Sequence, residues 1–201
     1  MNIHAASRAA ADLLHAEVGR LRSRGIAVGE DDLRGLYISD QEADRILEQA
    51  GRAGQENNLS EAAATLVEAT GPRLAALARL LSLSPAESAV IALAFVTELN
   101  PEVERLVAYI QDDVSRKRPR VEVLLRLFWD DTLDGQSAFD LARPLRKFRL
   151  IELHDDPGQP ATPLLSRAVT LDPRIARYLA GGDELDERLA GVASLHLQTV
   201  R

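Results

Sequence analysis

The segment Ala86–Leu99, AESAVIALAFVTEL, is apolar nearly all the way round a helix. A surface helix shows one apolar stripe, so a helix of this kind must sit at the centre of a domain with other elements covering every side. Both of its ends are marked. Ser84-Pro85-Ala86-Glu87 reads as a capping box with proline at the first helical position, where a missing N–H does no harm. Asn100-Pro101-Glu102 ends the helix and starts another. A length of 201 residues is enough to enclose such a helix without covalent staples.

Most of the covering elements read as helices. With 30 alanines, 32 leucines and only 4% aromatics, the chain is biased to helix. Residues 2–24 form one long helix in which Leu14, Val18 and Leu21 share a face, and Ala5, Ala6, Ala9, Ala10 and Ala11 permit close approach of a partner helix. Residues 25–38 read as a loop. Ser39-Asp40-Gln41-Glu42 is a second capping box, opening a helix with Ala43, Ile46, Leu47 and Ala50 on one face. A third helix follows Ser60 and stops at Gly71-Pro72. Leu74, Leu77, Leu80 and Leu81 form the next stripe. Val103, Leu106, Val107 and Ile110 repeat the helical spacing, as do Val121, Leu124, Leu125 and Phe128, with a break at Ser115–Pro119 between them. A short helix through Ala138, Leu141, Ala142 and Leu145 is expected after Ser137.

The period then changes. Phe148–Leu153 is rich in β-formers, His154–Pro163 is dense turn chemistry, and Leu164–Leu171 is a second strand candidate, so the three read as a hairpin with a long tip. Asp172-Pro173 opens a short helix ending at Gly181-Gly182. Helices closed by one hairpin point to a mainly α chain with a small β-hairpin, an α+β winged-helix-like domain preceded by a helical N-terminal segment. The expected division is a helical segment over 1–71, the winged-helix-like domain over 72–182, and a C-terminal helix or linker over 183–201.

Catalytic chemistry finds little support. The absence of cysteine removes thiol catalysis, Cys-bearing zinc sites and iron–sulfur clusters. There is no G-x-x-x-x-G-K-[ST] phosphate loop and no G-x-S-x-G elbow. Leu124–Asp131, LLRLFWDD, looks superficially like a Walker B strand, but its spacing favours a helix end, which would leave Asp130 and Asp131 at an unfavourable pole of the helix dipole. No two of His4, His15, His154 and His196 have the i, i+4 spacing of a helical zinc site. His154-Asp155-Asp156 could grip a hard cation, but a solvated loop explains it better. Glu30-Asp31-Asp32 and Asp112-Asp113 read as capping and solvation. The chain is expected not to be an enzyme and to need no cofactor or metal.

Charge says more. The net charge of −7 repels nucleic acid and anionic membranes as a whole. Residues 1–70 carry −5 of it, whereas residues 114–149 are locally +4. The cations there fall into two groups: Arg116, Lys117, Arg118 and Arg120, and Arg143, Arg146, Lys147 and Arg149. Together they are the candidate interaction patch. In a winged helix they would lie where phosphate and groove contacts are made. The alternative is that they balance nearby acids or dock a partner domain.

Arg34–Leu47, RGLYISDQEADRIL, and Ser84–Val121 carry a family resemblance. The chain resembles the N-terminal region of bacterial AAA+ ATPases that place a winged-helix domain before the ATPase module, including ATPases from gene clusters of extracellular contractile injection systems. Ala108-Tyr109-Ile110-Gln111-Asp112-Asp113, Pro163-Leu164-Leu165 and Leu171-Asp172-Pro173-Arg174-Ile175 belong to the same likeness. The resemblance implies a non-catalytic domain that recruits substrate or partner proteins or docks onto the ATPase ring. ATP would be handled by a separate module, toward which the patternless tail would lead as a linker. The implied partners are a protein or that module, with nucleic acid second and no membrane. Oligomerisation is expected only through the ATPase module, in the cytoplasm. The alternative function is DNA binding by the winged helix.

Overall fold

A computed structural model describes residues 2–23, 59–157, 159 and 161–183. The loop expected over 25–38, the capping box at Ser39–Glu42 with its helix, the resemblance at Arg34–Leu47 and the tail beyond Asp183 lie outside the described residues.

Among the described residues, three helices, α1 (Ile3–Ser23), α2 (Leu59–Thr70) and α3 (Pro72–Leu81), precede the apolar segment, which forms helix α4 (Pro85–Leu99). Its capping box is formed: Ser84 Oγ accepts from the Glu87 amide at 3.1 Å, and a Glu87 carboxylate oxygen accepts from the Ser84 amide at 2.8 Å. Every residue from Ala89 to Val96 is at most 1% exposed. The Thr97 hydroxyl, also buried, is satisfied by donating to the Leu93 carbonyl at 2.7 Å. Around α4 pack α1, α2, α3, α5 (Pro101–Ile110) and α6 (Val121–Phe128). The first strand is β1 (Ile151–His154), and its partner β2 (Ala168–Leu171) also lies against α4. The core is one continuous cluster from Ala6 to Leu179, and the step from residue 71 to 72 lies inside it.

Four sequence expectations change in detail. The WDD run does not leave its acids at a helix C-terminus. After α6 ends, Asp131 caps α7 (Thr132–Gln136), its carboxylate accepting from the Leu133 amide at 2.7 Å. An acid there meets the favourable end of the helix dipole. The helix expected through Ala138–Leu145 is broken into a 3₁₀ turn (Ser137–Phe139) and the single-turn α8 (Pro144–Lys147). The chain leaves helical backbone first at Asp140, φ −70° and ψ 150°, and again just before Pro144. Its ring disfavours helical backbone at Arg143, which is extended at φ −90°, ψ 157°. The strands are also shorter than the hairpin signal: Phe148–Leu150 closes the turn after α8, and Leu164–Ser166 is a 3₁₀ turn. Last, the break before α6 meets the sheet. Arg120 pairs with Ala168, and the Val169 amide donates to the Pro119 carbonyl at 2.9 Å. The sheet itself has two strands, β1 and β2 in the antiparallel register Ile151↔Leu171, and the isolated bridge at Arg120 adds one contact to β2.

The hairpin is followed by α9 (Pro173–Ala180), N-capped by the Asp172 carboxylate and closed by Gly181 at φ 113°, a left-handed turn suited to glycine. Arg73 on α3 clamps its end. The guanidinium reaches the carbonyls of Tyr178 and Gly182, both at 3.1 Å, pairs with both oxygens of Asp183, and stacks 5.0 Å from the centre of the Tyr178 ring. That pairing holds the Asp183 carboxyl below the usual carboxylate range.

The long first helix is fastened by a buried charge. Ala6, Ala10, Leu13 and Leu14 of α1 are fully buried, packed against α2, α5 and α4. On the same helix Glu17 is also fully buried. Arg20 donates to both of its oxygens, at 2.7 and 3.0 Å, and Arg126 of α6 brings its Nε to 2.5 Å. Arg126 also donates to the Ile110 carbonyl at the end of α5 at 3.4 Å, and Arg22 donates to the Tyr109 hydroxyl at 3.0 Å. Glu17→Ala is expected to lower the unfolding free energy by roughly 2–3 kcal/mol, because charged hydrogen bonds are lost while the two arginines, about a quarter exposed, regain water. Chemical denaturation of the two proteins checks it. A change within about 0.5 kcal/mol would show that the buried carboxylate is not a fastening for α1.

Candidate functional site

The two cationic groups meet different fates. Each member of the first group is paired with an acid of the same chain. Arg116 pairs with Asp113 at 2.9 Å, Lys117 with Glu104 at 2.9 Å, Arg118 with Glu98 at 3.0 Å and Arg120 with Asp156 at 2.5 Å. Gln111, at the end of α5, organises the loop that carries them. Its amide nitrogen donates to the carbonyls of Arg116 and Arg118, and its oxygen accepts from the Arg120 amide at 3.0 Å. Ser115 donates to Asp113 through hydroxyl and amide, and this, with the nearby charges of Arg116 and Arg120, holds the Asp113 carboxyl below its usual range. Glu98 additionally accepts from the Leu171 amide of β2 at 3.3 Å. The first group is thus a brace joining α4, α5 and the hairpin.

The hairpin tip is braced from its own side. Arg167 pairs with Asp155 at 3.0 Å and donates to the Thr162 carbonyl at 2.9 Å. The buried Thr162 hydroxyl accepts from the Asp156 amide and donates to Gln159. His154 meets Thr170 across the strands at 2.8 Å. Asp155 and Asp156 are therefore ion-pair partners of Arg167 and Arg120, a role that neither the cation reading nor the solvated-loop reading of His154–Asp156 anticipated. No metal-like cluster of His, Asp or Glu occurs among the described residues.

The second group differs. Arg143, Lys147 and Arg149 are exposed, Arg146 is half-buried, and none of the four makes an ion pair with a described residue. Arg146 reaches only the Phe139 carbonyl, at 3.5 Å, and Lys147 lies 5.2 Å from the centre of the Phe148 ring. Beside this group lies Leu141, 74% exposed, and Leu133 on α7 is equally bare. Gly135 lets α7 close on α6, since a Cβ there would fall 2.6 Å from a Leu125 methyl and 2.8 Å from the Trp129 ring.

Arg149 has an unusual backbone. It sits at φ 50°, in the left-handed region that costs a non-glycine residue roughly 1–2 kcal/mol. The turn is held by the Leu150 amide donating to the Leu145 carbonyl at 2.9 Å and by Arg174, which donates to the carbonyls of Phe148 and Arg149. The sequence reading missed Glu17, Glu98, Gln111 and Arg174. Only Glu17 left a local signal, a carboxylate on the same apolar face as Leu14, Val18 and Leu21.

The order of elements, helices followed by a two-stranded antiparallel hairpin and a last short helix, fits a winged helix. A family model described as "winged helix domain, variant" matches residues 13–193. The chain belongs to this winged-helix family. No curated protein and no solved structure matches it. In the winged helix, α6 is the first helix of the helix-turn-helix, residues 132–147 hold the recognition position, and the hairpin is the wing. The second cationic group therefore lies at the end of the recognition position, and the first braces the wing.

Breaking that brace is expected to loosen the wing. Arg120→Ala removes a pair whose side chains are 11% and 23% exposed, and should cost about 1.5–3 kcal/mol. Amide exchange in β1 and β2 should speed up ahead of exchange in α4. Unchanged exchange in both strands would show that Arg120 does not hold the wing.

Proposed function

We propose that this winged helix is a non-catalytic module that binds protein, recruiting a partner or docking onto an ATPase ring. The observation that carries the reading is the fate of the first cationic group: its four charges are neutralised by Asp113, Glu104, Glu98 and Asp156. A wing that contacts phosphate needs free cations, and this one exposes Glu152 and Asp155. The recognition position adds support. A helix reads base edges in the major groove over several residues, and here residues 132–147 are divided into the five-residue α7, a 3₁₀ turn and the single-turn α8. The tie to an ATPase is supported by the sequence resemblance over Ser84–Val121.

A second reading, DNA binding, is favoured by Arg143, Lys147 and Arg149, which remain without acid partners among the described residues at the recognition position. The two readings separate in one titration. A labelled short DNA duplex at about 50 mM salt, where phosphate contacts are strongest, is expected to show no saturable binding. Binding that falls steeply with added salt would replace the protein-binding reading with the DNA one. The non-catalytic part is checked on the same sample: no ATP hydrolysis above buffer is expected, and clear turnover would refute it. A Walker A motif in the reading frame after Arg201 would support the ATPase tie, and a stop codon there would remove it.

A further inference from the structure

We propose that Leu141, Arg143, Lys147 and Arg149 form one docking surface for an acidic, leucine-bearing segment of a partner protein. The proposal rests on the protein-binding reading and names the surface and its ligand chemistry.

Three observations meet at this place. The first is charge. Among the eight cations of the patch, the four of the first group are paired with acids, and the four of the second have no acid partner among the described residues. In a chain of net charge −7, a cluster without its own acids is complementary to a ligand that brings them. The second is apolar exposure. Leu141 lies in the turn that runs through Arg143 into α8, the Arg143 amide donating to the Asp140 carbonyl at 3.0 Å and the Lys147 amide to the Arg143 carbonyl at 2.7 Å. A phosphate backbone has no use for a bare leucine, whereas an amphipathic protein segment does. The third is conformation. Arg149 occupies a left-handed turn that glycine would adopt without strain, and its guanidinium makes no contact with a described residue that would reward the arginine. Fold stability does not account for an arginine there, and a ligand does. The turn backbone is pinned by Arg174, so the side chain starts from a fixed base.

The test uses the full chain and a fluorescein-labelled synthetic peptide of glutamate and leucine, arranged to place leucines on one helical face. Saturable binding that weakens with salt is expected. Arg149→Gly and Leu141→Ser should each raise Kd about tenfold or more, as removal of a charge-assisted contact or a buried leucine does. Arg149→Gly should leave the melting temperature equal or higher, which separates lost contact from lost fold. Arg116→Ala, in the brace, should leave Kd unchanged. Peptide binding indifferent to both Arg149→Gly and Leu141→Ser would overturn this surface while leaving the protein-binding reading standing. A DNA duplex that binds more tightly than the peptide through the same residues would overturn both. Failure of the peptide to bind at all would overturn the surface.

Discussion

The buried carboxylate of Glu17 is the constraint on which the arrangement of this molecule depends. A charge taken out of water is tolerated only where fixed partners replace the solvent. Here one partner, Arg20, lies a turn away on the same helix, and the other, Arg126, comes from α6. Slide α1 by one residue along its neighbours and Glu17 loses Arg126 while its apolar stripe leaves α2. The alanine-rich face alone would permit several registers, because small side chains interlock weakly. The ion pair selects one. Arg126 extends the selection to α5 through the Ile110 carbonyl, so one carboxylate relates three helices. The helix that precedes the winged-helix elements is thereby part of their core.

The same electrostatics sort the cations. Nothing in residue type distinguishes Arg118 from Arg143. What differs is the distance to an acid after folding. Glu98 lies at the end of α4, Glu104 begins α5, and Asp156 starts the wing tip, so the loop between α5 and α6 passes three carboxylates from three elements. Arg143, Arg146, Lys147 and Arg149 make no ion pair with a described residue. The outcome is a wing held to the core by ion pairs, and a separate face on which charge remains available.

How much of this was legible depended on range. Features set by neighbours in sequence were readable: the Ser84 capping box, the all-round apolar α4, the proline starts of α4, α5 and α9, and the hairpin. The interruption at Pro144 was local too, and the periodicity of Ala138, Leu141 and Leu145 concealed it. One residue that cannot sit inside a helix outweighs three that fit its stripe. The pairing of the wing acids, the bridge at Arg120 and the partner of Glu17 depend on contacts across tens of residues, which no local pattern encodes. The candidate patch was read as two groups in sequence, but which of the two meets acids is a matter of tertiary distance.

A winged helix can turn either of two features toward nucleic acid, its wing or its recognition helix. In this chain the wing has exchanged free cations for internal braces. Its stiffness then comes from the pairs that deny it phosphate contacts, so the two properties cannot be recovered together by small changes. Residues 132–147 are interrupted at Asp140 and again before Pro144, and Leu141 between the two breaks is exposed. The energetic cost of Arg149 fits the same pattern. A strained turn beside a bare leucine is unfavourable for a domain that stands alone, and favourable for one that is covered by a partner. The protein-binding reading proposed above therefore rests on one set of features, a braced wing and a face of cations without acid partners among the described residues beside a bare leucine.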